Sequence, residues 1–177
     1  MEIVNPLMVA ASPKSKFVML FQFVATIDVS SYLCIEEALR FRWEVCGGEE
    51  KIMQHCVDIS NEVGRLAAEI LGTEVMENAE KTLTRCSMTN VGLPLKIGDG
   101  KGEIPSKDTY VVAAWITAVL TKEYDIYAPA FLHAGAFWTR FSGQIYLELE
   151  DYAMGADALR SLCERAKRGD YLQNESA

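Results

Sequence analysis

The sequence predicts an α/β chain of the two-layer α+β type, in which helices pack on one face of a small, mostly antiparallel sheet. Residues 49–71 repeat apolar side chains at spacings of four and three, which is the period of an amphipathic helix. Residues 127–133 and 136–147 are apolar runs joined by the tight pair Ala134-Gly135, which is typical of an antiparallel hairpin. In the second run we expect Phe137, Thr139 and Phe141 to face one way, and Trp138, Arg140 and Ser142 to face the other. With 177 residues we expect a single domain, in which residues 1–29 form an N-terminal arm and residues 30–177 the core.

The first predicted elements are the arm and a capped helix. Two short apolar strands, residues 7–11 and 16–24, flank a turn at Pro13. A helix is expected from Ser30 or Ser31 to Gly47-Gly48, because acidic residues follow its start and glycines end it. Its apolar residues are Leu33, Ala38, Leu39, Phe41 and Val45.

The remaining elements follow in order along the chain. The helix of residues 49–71 stops at Gly72, a strand is expected over residues 86–95, and a polar, glycine-rich loop spans 96–107. Asp108 is expected to cap the next helix, and a last helix covers residues 150–168. The helix over residues 49–71 has an apolar stripe that comprises Ile52, Cys56, Ile59, Val63, Leu66 and Ile70. The helix over residues 150–168 has as inward side chains Tyr152, Leu159, Cys163 and Ala166.

Composition and charge argue against several kinds of partner. The formal net charge is -8 and the basic residues are dispersed, so we expect no binding to a nucleic acid backbone. The longest apolar stretches, residues 17–27 and 111–120, are shorter than the roughly 20 residues that a membrane helix needs. Residues 1–6 lack the pattern of a signal peptide, so the sequence predicts a cytoplasmic protein without membrane partners.

The five cysteines are expected to be reduced and buried. Their number is odd and no pair has the C-x-x-C spacing, so neither a disulfide framework nor a redox motif is indicated. His55 lies beside Cys56, but the second half of a tetrahedral ligand set is missing at any usual spacing. We therefore predict no metal site.

Five stretches of the sequence resemble one protein family. They are residues 23–28 (FVATID), 31–38 (SYLCIEEA), 46–49 (CGGE), 71–76 (LGTEVM) and 140–146 (RFSGQIY). Together they resemble fungal class V aminotransferase-like proteins, which are fold type I pyridoxal phosphate enzymes related to the isopenicillin N epimerase and cysteine desulfurase group. The resemblance covers about residues 6–170 and matches only the C-terminal part of such an enzyme.

The resemblance implies a chain that lacks the large cofactor-binding domain and its Schiff-base lysine. Lys14 and Lys16 lie in a stretch unlike the family's lysine motif, so no cofactor-binding residue is expected here. The family's Gly-Thr pair, which reaches the phosphate of a partner subunit's cofactor, corresponds to Ala25-Thr26. Thr26 keeps a hydroxyl donor there, and the alternative is that it caps the turn before the first helix.

Arg140 is the first candidate for a functional residue. In the family the matching arginine binds the substrate carboxylate through two parallel hydrogen bonds, a task that suits a guanidinium group. The alternative is a structural ion pair. His133 is the second catalytic candidate, with a structural role at a strand end as its alternative. The expected substrate-binding residues are Thr26, Asp28, Tyr32, Trp138, Ser142, Gln144 and Tyr146.

Three functions remain open at this point. The first is a cofactor-independent enzyme of fungal secondary metabolism that cyclises or isomerises a largely apolar small molecule, for example by a Diels-Alder reaction, with Arg140 holding its carboxylate or carbonyl. The second is a subunit of a split pyridoxal phosphate enzyme, whose partner chain carries the cofactor domain. The third is a non-catalytic binding domain or a remnant. Residues 17–24 are apolar on both faces, which suits either a dimer interface or a lipophilic pocket, and we also expect a homodimer.

Overall fold

The computed structural model describes residues 28–174, and the arm strands expected at residues 7–11 and 16–24 lie outside this range. Eight helices and strands build it. They are α1 (Ser30–Leu33), α2 (Ile35–Glu44), α3 (Glu49–Leu71), β1 (Met88–Gly92), α4 (Thr109–Tyr124), β2 (Ala130–His133), β3 (Ala136–Ser142) and α5 (Leu149–Lys167). The α+β two-layer fold predicted from the sequence is confirmed.

The sheet has the order β1-β3-β2, and both of its strand pairs are antiparallel. β2 and β3 form the predicted hairpin, and Ala134 and Gly135 both have positive φ at its turn. That conformation matches the twist of the flanking strands, which explains why a two-residue loop suffices. β3 ends at Ser142, five residues earlier than expected, because the chain then turns away toward α5.

One face of the sheet carries the core. Phe137, Thr139 and Phe141 alternate along β3 on the buried face, as predicted, while Trp138 and Arg140 lie on the open face. The helices α3, α4 and α5 pack against the buried face and against each other. The alternation of β3 therefore decides which of its side chains a ligand can reach.

α3 packs closely against the end of β3. Its predicted stripe is buried at Ile52, Cys56, Ile59 and Val63, whereas the expected inward residues Leu66 and Ile70 are only partly buried. Ala67 and Leu71 take the buried positions in the last turns. A Cβ atom on Gly143 would lie 2.1 Å from the carbonyl oxygen of Cys56, so glycine is needed at this crossing.

The first predicted helix differs from expectation in two ways. It is broken at Cys34 into α1 and α2, and no residue of either helix is buried. Leu33 and Trp43 are 75% and 74% exposed, and every other large apolar residue of α2 is exposed as well. Arg42 ties α2 to the start of α3 through a paired contact with Glu49, at 2.6 Å for Nη2–Oε2. The apolar side of α1 and α2, which we call the α1–α2 face, is therefore uncovered by the described residues.

The five cysteines lie in different environments, and Cys46 is half-buried. Cys56 and Cys163 are buried, and burial raises the pKa of the Cys163 thiol to about 12. Cys34 and Cys86 are exposed, so the expectation of burial was wrong for them. Cys34 lies at the junction of two helices that make few contacts with the core, and Cys86 lies in the turn before β1. Both thiols are therefore exposed.

Candidate functional site

A cavity of about 550 Å³ opens at the end of β3. Its walls come from the loop after α4 (residues 125–128), from the end of β3 and the turn beyond it (140–147), and from the first half of α5 (151–155). Strand, loop and helix thus meet at one rim. Arg140, Ser142, Gln144 and Tyr146, which were predicted separately as site residues, all line this cavity.

β3 holds Arg140 in a fixed position. It is the central strand, and it places Arg140 opposite Asn90 of β1 on the open face. The Arg140 side chain is exposed, and among residues 28–174 it makes no ion pair and no side-chain hydrogen bond. The structural ion pair considered as an alternative is thus absent from the described part of the chain. A guanidinium with its donors available at a cavity wall can bind a carboxylate with two parallel hydrogen bonds.

Tyr152 fixes the strand end beside Arg140. Its hydroxyl donates a 2.8 Å hydrogen bond to the carbonyl oxygen of Ser142, and its ring packs edge-on against Phe141 with the centroids 6.2 Å apart. Burial raises the pKa of Tyr152, so its hydroxyl stays protonated and keeps donating. The backbone that carries Arg140 and Ser142 is thereby anchored to α5.

Ser142, Gln144 and Tyr146 add polar groups to the same wall. Ser142 and Gln144 are half-buried, and Tyr146 is exposed. Within the described range the side chains of these three residues have no hydrogen-bond partner, so their donors and acceptors remain available to a ligand. With the rings of Phe141 and Tyr152, they form a polar rim over a partly aromatic floor.

Asp125 and Tyr127 are among the cavity residues that were not predicted as site residues from the sequence. Asp125 ends α4 in the left-handed conformation, with φ of 57°, and its backbone N–H donates to the carbonyl of Leu120. Tyr127 follows two residues later and is exposed. Nothing local marks either residue as functional, because only the folding of α4 against β2 brings this loop to the cavity. A polar side chain directly after a helix end was the one available signal.

The other predicted site residues lie elsewhere. His133 is exposed at the hairpin turn, where its carbonyl oxygen accepts a 3.1 Å hydrogen bond from Trp138 Nε1. Trp138 lines a separate cavity of about 410 Å³ beside β1. Asp28 accepts hydrogen bonds from Ser30, which lower its pKa, and so it serves the start of α1. Tyr32 is exposed on α1, and Thr26 lies outside the described residues.

The cavity does not by itself fit the cofactor that the family resemblance implies. Pyridoxal phosphate is held as an imine on a lysine amine, and none of the described residues that line the Arg140 cavity is a lysine. Lys14 and Lys16 lie outside the described residues.

Metal binding has no support in residues 28–174 either, since they contain no group of three or more ligating side chains. In the same range, no helix is long and apolar enough to span a membrane.

Comparison with known proteins finds fungal relatives. The chain is 34% identical over 170 residues to the L-cysteine desulfhydrase-like protein lolT1 of Epichloe uncinata, a match that covers 88% of this chain and 37% of that protein. It is 35% identical over 165 residues to lolT2 of the same fungus, covering 85% and 36%. It is also 31% identical over 136 residues to the hercynylcysteine sulfoxide lyase of Schizosaccharomyces pombe, covering 77% and 30%.

The chain spans about a third of the length of these curated relatives. No protein-family model matches it. The similarity nevertheless extends over most of the chain, and it supports the relationship to fungal class V aminotransferase-like proteins that the sequence motifs predicted.

Proposed function

Because the chain is related to fungal proteins of a pyridoxal phosphate-type family, we propose that it is the substrate-binding domain of such a protein and binds the carboxylate of an amino acid-like substrate at Arg140. The observation that carries this proposal is Arg140 on the wall of a polar cavity, where its guanidinium has no ion-pair partner among residues 28–174. The names of the relatives refer to L-cysteine and to a cysteine derivative, and both of these molecules carry a carboxylate.

The cofactor, if the protein uses one, would be held by residues outside the part described here. Two features support an incomplete site. Within residues 28–174 no lysine lines the Arg140 cavity, and the relatives are about three times as long as the matched segment. The described residues would then bind and orient the substrate, while a lysine elsewhere would supply the amine that holds the cofactor. We expect the cofactor-holding domain to belong either to the same polypeptide or to a partner chain.

The uncovered α1–α2 face fits this arrangement. Exposed apolar patches beyond a few hundred Å² are rare on monomers and mark interaction sites. Seven large apolar side chains of residues 32–45 are at least half exposed, and together they present on the order of 800 Å², which is the area one partner contributes to a standard protein interface. We therefore expect the cofactor-holding part to cover the α1–α2 face.

Cofactor-free cyclisation of an apolar molecule is the second candidate. The aromatic side chains of the cavity, which include Tyr127, Phe141 and Tyr152, favour it because they could hold an apolar framework. The charged side chains of the lining favour the first candidate, an amino acid-like substrate. An apolar ligand would remove water from Asp125, Arg140 and Asp151 without replacing their hydrogen bonds, which costs free energy. Binding of large apolar carboxylates without binding of S-methyl-L-cysteine would favour this second candidate.

Binding of S-methyl-L-cysteine, followed by amide chemical shifts, tests the proposal. Wild-type chain should show saturable shifts within residues 140–147. Arg140→Ala should weaken binding about 10- to 100-fold, since a hydrogen bond to a charged group contributes about 1.5–3 kcal/mol. Arg140→Lys should lie between, because it keeps the charge but loses the two-pronged geometry.

A matched control is Arg160→Ala, which removes another exposed arginine, one that pairs with Asp157 on α5. This variant should bind as the wild type does. Equal weakening by both substitutions would indicate a general charge effect and would contradict a site at Arg140.

A further inference from the structure

The charged residues of the Arg140 cavity do not balance. Among residues 28–174, its lining contains one cation, Arg140, and two carboxylates, Asp125 and Asp151. No ion pair joins Arg140 to either carboxylate, so the charges have not neutralised each other. A ligand that carried only a carboxylate would therefore enter a cavity whose formal charge is already negative. Such a ligand would pair with Arg140, but the two aspartate carboxylates would repel it.

The two carboxylates differ in availability. Asp151 accepts a 2.9 Å hydrogen bond from the backbone N–H of Glu148 as part of the capping box that starts α5. Its charge is thus committed to the helix N-terminus. The side chain of Asp125 has no hydrogen-bond or ion-pair partner among residues 28–174, although it borders the cavity from the opposite loop. Asp125 is the carboxylate that remains for a ligand.

We propose that the cavity binds a dipolar ligand, whose carboxylate pairs with Arg140 and whose cationic nitrogen pairs with Asp125. Such a ligand brings a positive charge to Asp125 and adds no net charge to the cavity, whereas a simple carboxylate would make the cavity more negative. The exposed ring of Tyr127, two residues beyond Asp125, and that of Tyr146 offer π faces on which an ammonium group is stabilised. The ligand class is a zwitterionic amino acid or betaine rather than a simple carboxylic acid. This inference rests on the proposed function, since it requires Arg140 to hold the carboxylate.

Matched ligands test the role of Asp125. The ω-amino acids 4-aminobutanoate, 5-aminopentanoate and 6-aminohexanoate have nearly the same shape as pentanoate, hexanoate and heptanoate, but they end in an ammonium instead of a methyl group. Amide-shift titrations of the chain give a dissociation constant for each. For at least one chain length, the amino acid should bind about 5-fold more tightly than its alkanoate, as a partly exposed ion pair allows.

Asp125→Asn should abolish this preference and bring the ratio to about 1. Asparagine tolerates the left-handed conformation of this position as well as aspartate does, so the variant should keep the backbone intact. Asp99→Asn is the matched control, because it removes the same charge from an exposed loop that does not line the cavity. It should leave the preference unchanged.

The outcomes separate this inference from the proposed function. If alkanoates and amino acids bind equally, or if Asp125→Asn keeps the preference, the dipolar ligand is refuted while an Arg140-dependent carboxylate site stands. If neither series binds, or if Arg140→Ala leaves both unchanged, the carboxylate site and the dipolar ligand both fail.

Discussion

Replacing Gly143 with alanine tests how the cavity wall is joined to the core. Gly143 lies between Ser142 and Gln144, which line the cavity, and it faces α3 at the point of closest approach. A Cβ atom there would lie 2.1 Å from the carbonyl oxygen and 2.9 Å from the carbonyl carbon of Cys56, and 3.0 Å from Cγ2 of Ile59. Two of these three atoms belong to the helix backbone, so no rotamer change relieves the clash.

The strand end and α3 must therefore separate by about 1 Å, which is an overpacking strain of the costly kind. Overpacking typically costs about 1–3 kcal/mol, and we expect the upper end because the backbone has to move. For a chain of this size, 3 kcal/mol lowers Tm by about 6–12 °C. The displaced wall should also weaken carboxylate binding, because Arg140 lies only three residues away.

Gly155→Ala is the control, measured by urea unfolding and by thermal melting. Gly155 is a glycine inside α5 that lines the same cavity, but a Cβ there would meet its nearest atom, Cε1 of Phe141, at an ordinary 3.7 Å. Alanine in a helix is more favourable than glycine by about 1 kcal/mol, so this variant should be neutral or more stable. A Gly143→Ala chain within 0.5 kcal/mol of the wild type would refute the close crossing of residue 143 and α3.

Three further predictions concern the core, the thiols and the α1–α2 face. Thr139→Val should raise the free energy of unfolding by about 1 kcal/mol, because the Thr139 hydroxyl is fully buried and has no hydrogen-bond partner in residues 28–174. A lower free energy of unfolding in urea titrations would contradict this. The free energy of unfolding should fall between about pH 9 and pH 12, with Cys163 contributing roughly 1.4 kcal/mol per pH unit. In this range the native Cys163 thiol, whose pKa is raised, stays protonated after the thiol of the unfolded chain has ionised. An equally steep fall in Cys163→Ala would assign the pH dependence to other groups. Where the cofactor-holding part is not present to cover it, the α1–α2 face should join two copies of the chain as a homodimer. The double variant Leu39→Ser, Trp43→Ser should be monomeric by light scattering, with its stability within about 0.5 kcal/mol of the wild type, since both side chains are exposed. A monomeric wild type would refute self-association through this face.

Periodic patterns predicted the layers of the fold because the sequence period is set by local geometry. The spacing of Ile52, Cys56, Ile59 and Val63 fixed one buried stripe of α3, and the alternation along β3 separated Phe137 and Phe141 from Arg140. The same reasoning failed for α2. Its residues share an apolar face, but a pattern shows only which side chains lie together and not whether anything in the described chain covers them.

The candidate site was half predictable for a similar reason. Arg140, Ser142, Gln144 and Tyr146 lie within one short segment, so their neighbourhood follows from the course of a single strand and turn. Asp125 and Tyr127 reach the cavity only through the packing of α4 against β2, which no local pattern specifies. His133 and Trp138 were expected beside Arg140, but the tight hairpin turn holds His133 at the other end of β3, and Trp138 borders a different cavity.

The side chain of Arg140 gives the most direct test of the carboxylate site. Its Nε–Hε signal in nitrogen–proton correlation spectra, assigned by its loss in Arg140→Lys, can be followed during titration with S-methyl-L-cysteine. Binding through two parallel hydrogen bonds predicts a saturable downfield shift of that proton and slower rotation of the guanidinium group. An Arg140 signal that stays unchanged while other residues respond to the ligand would place binding elsewhere and contradict the account.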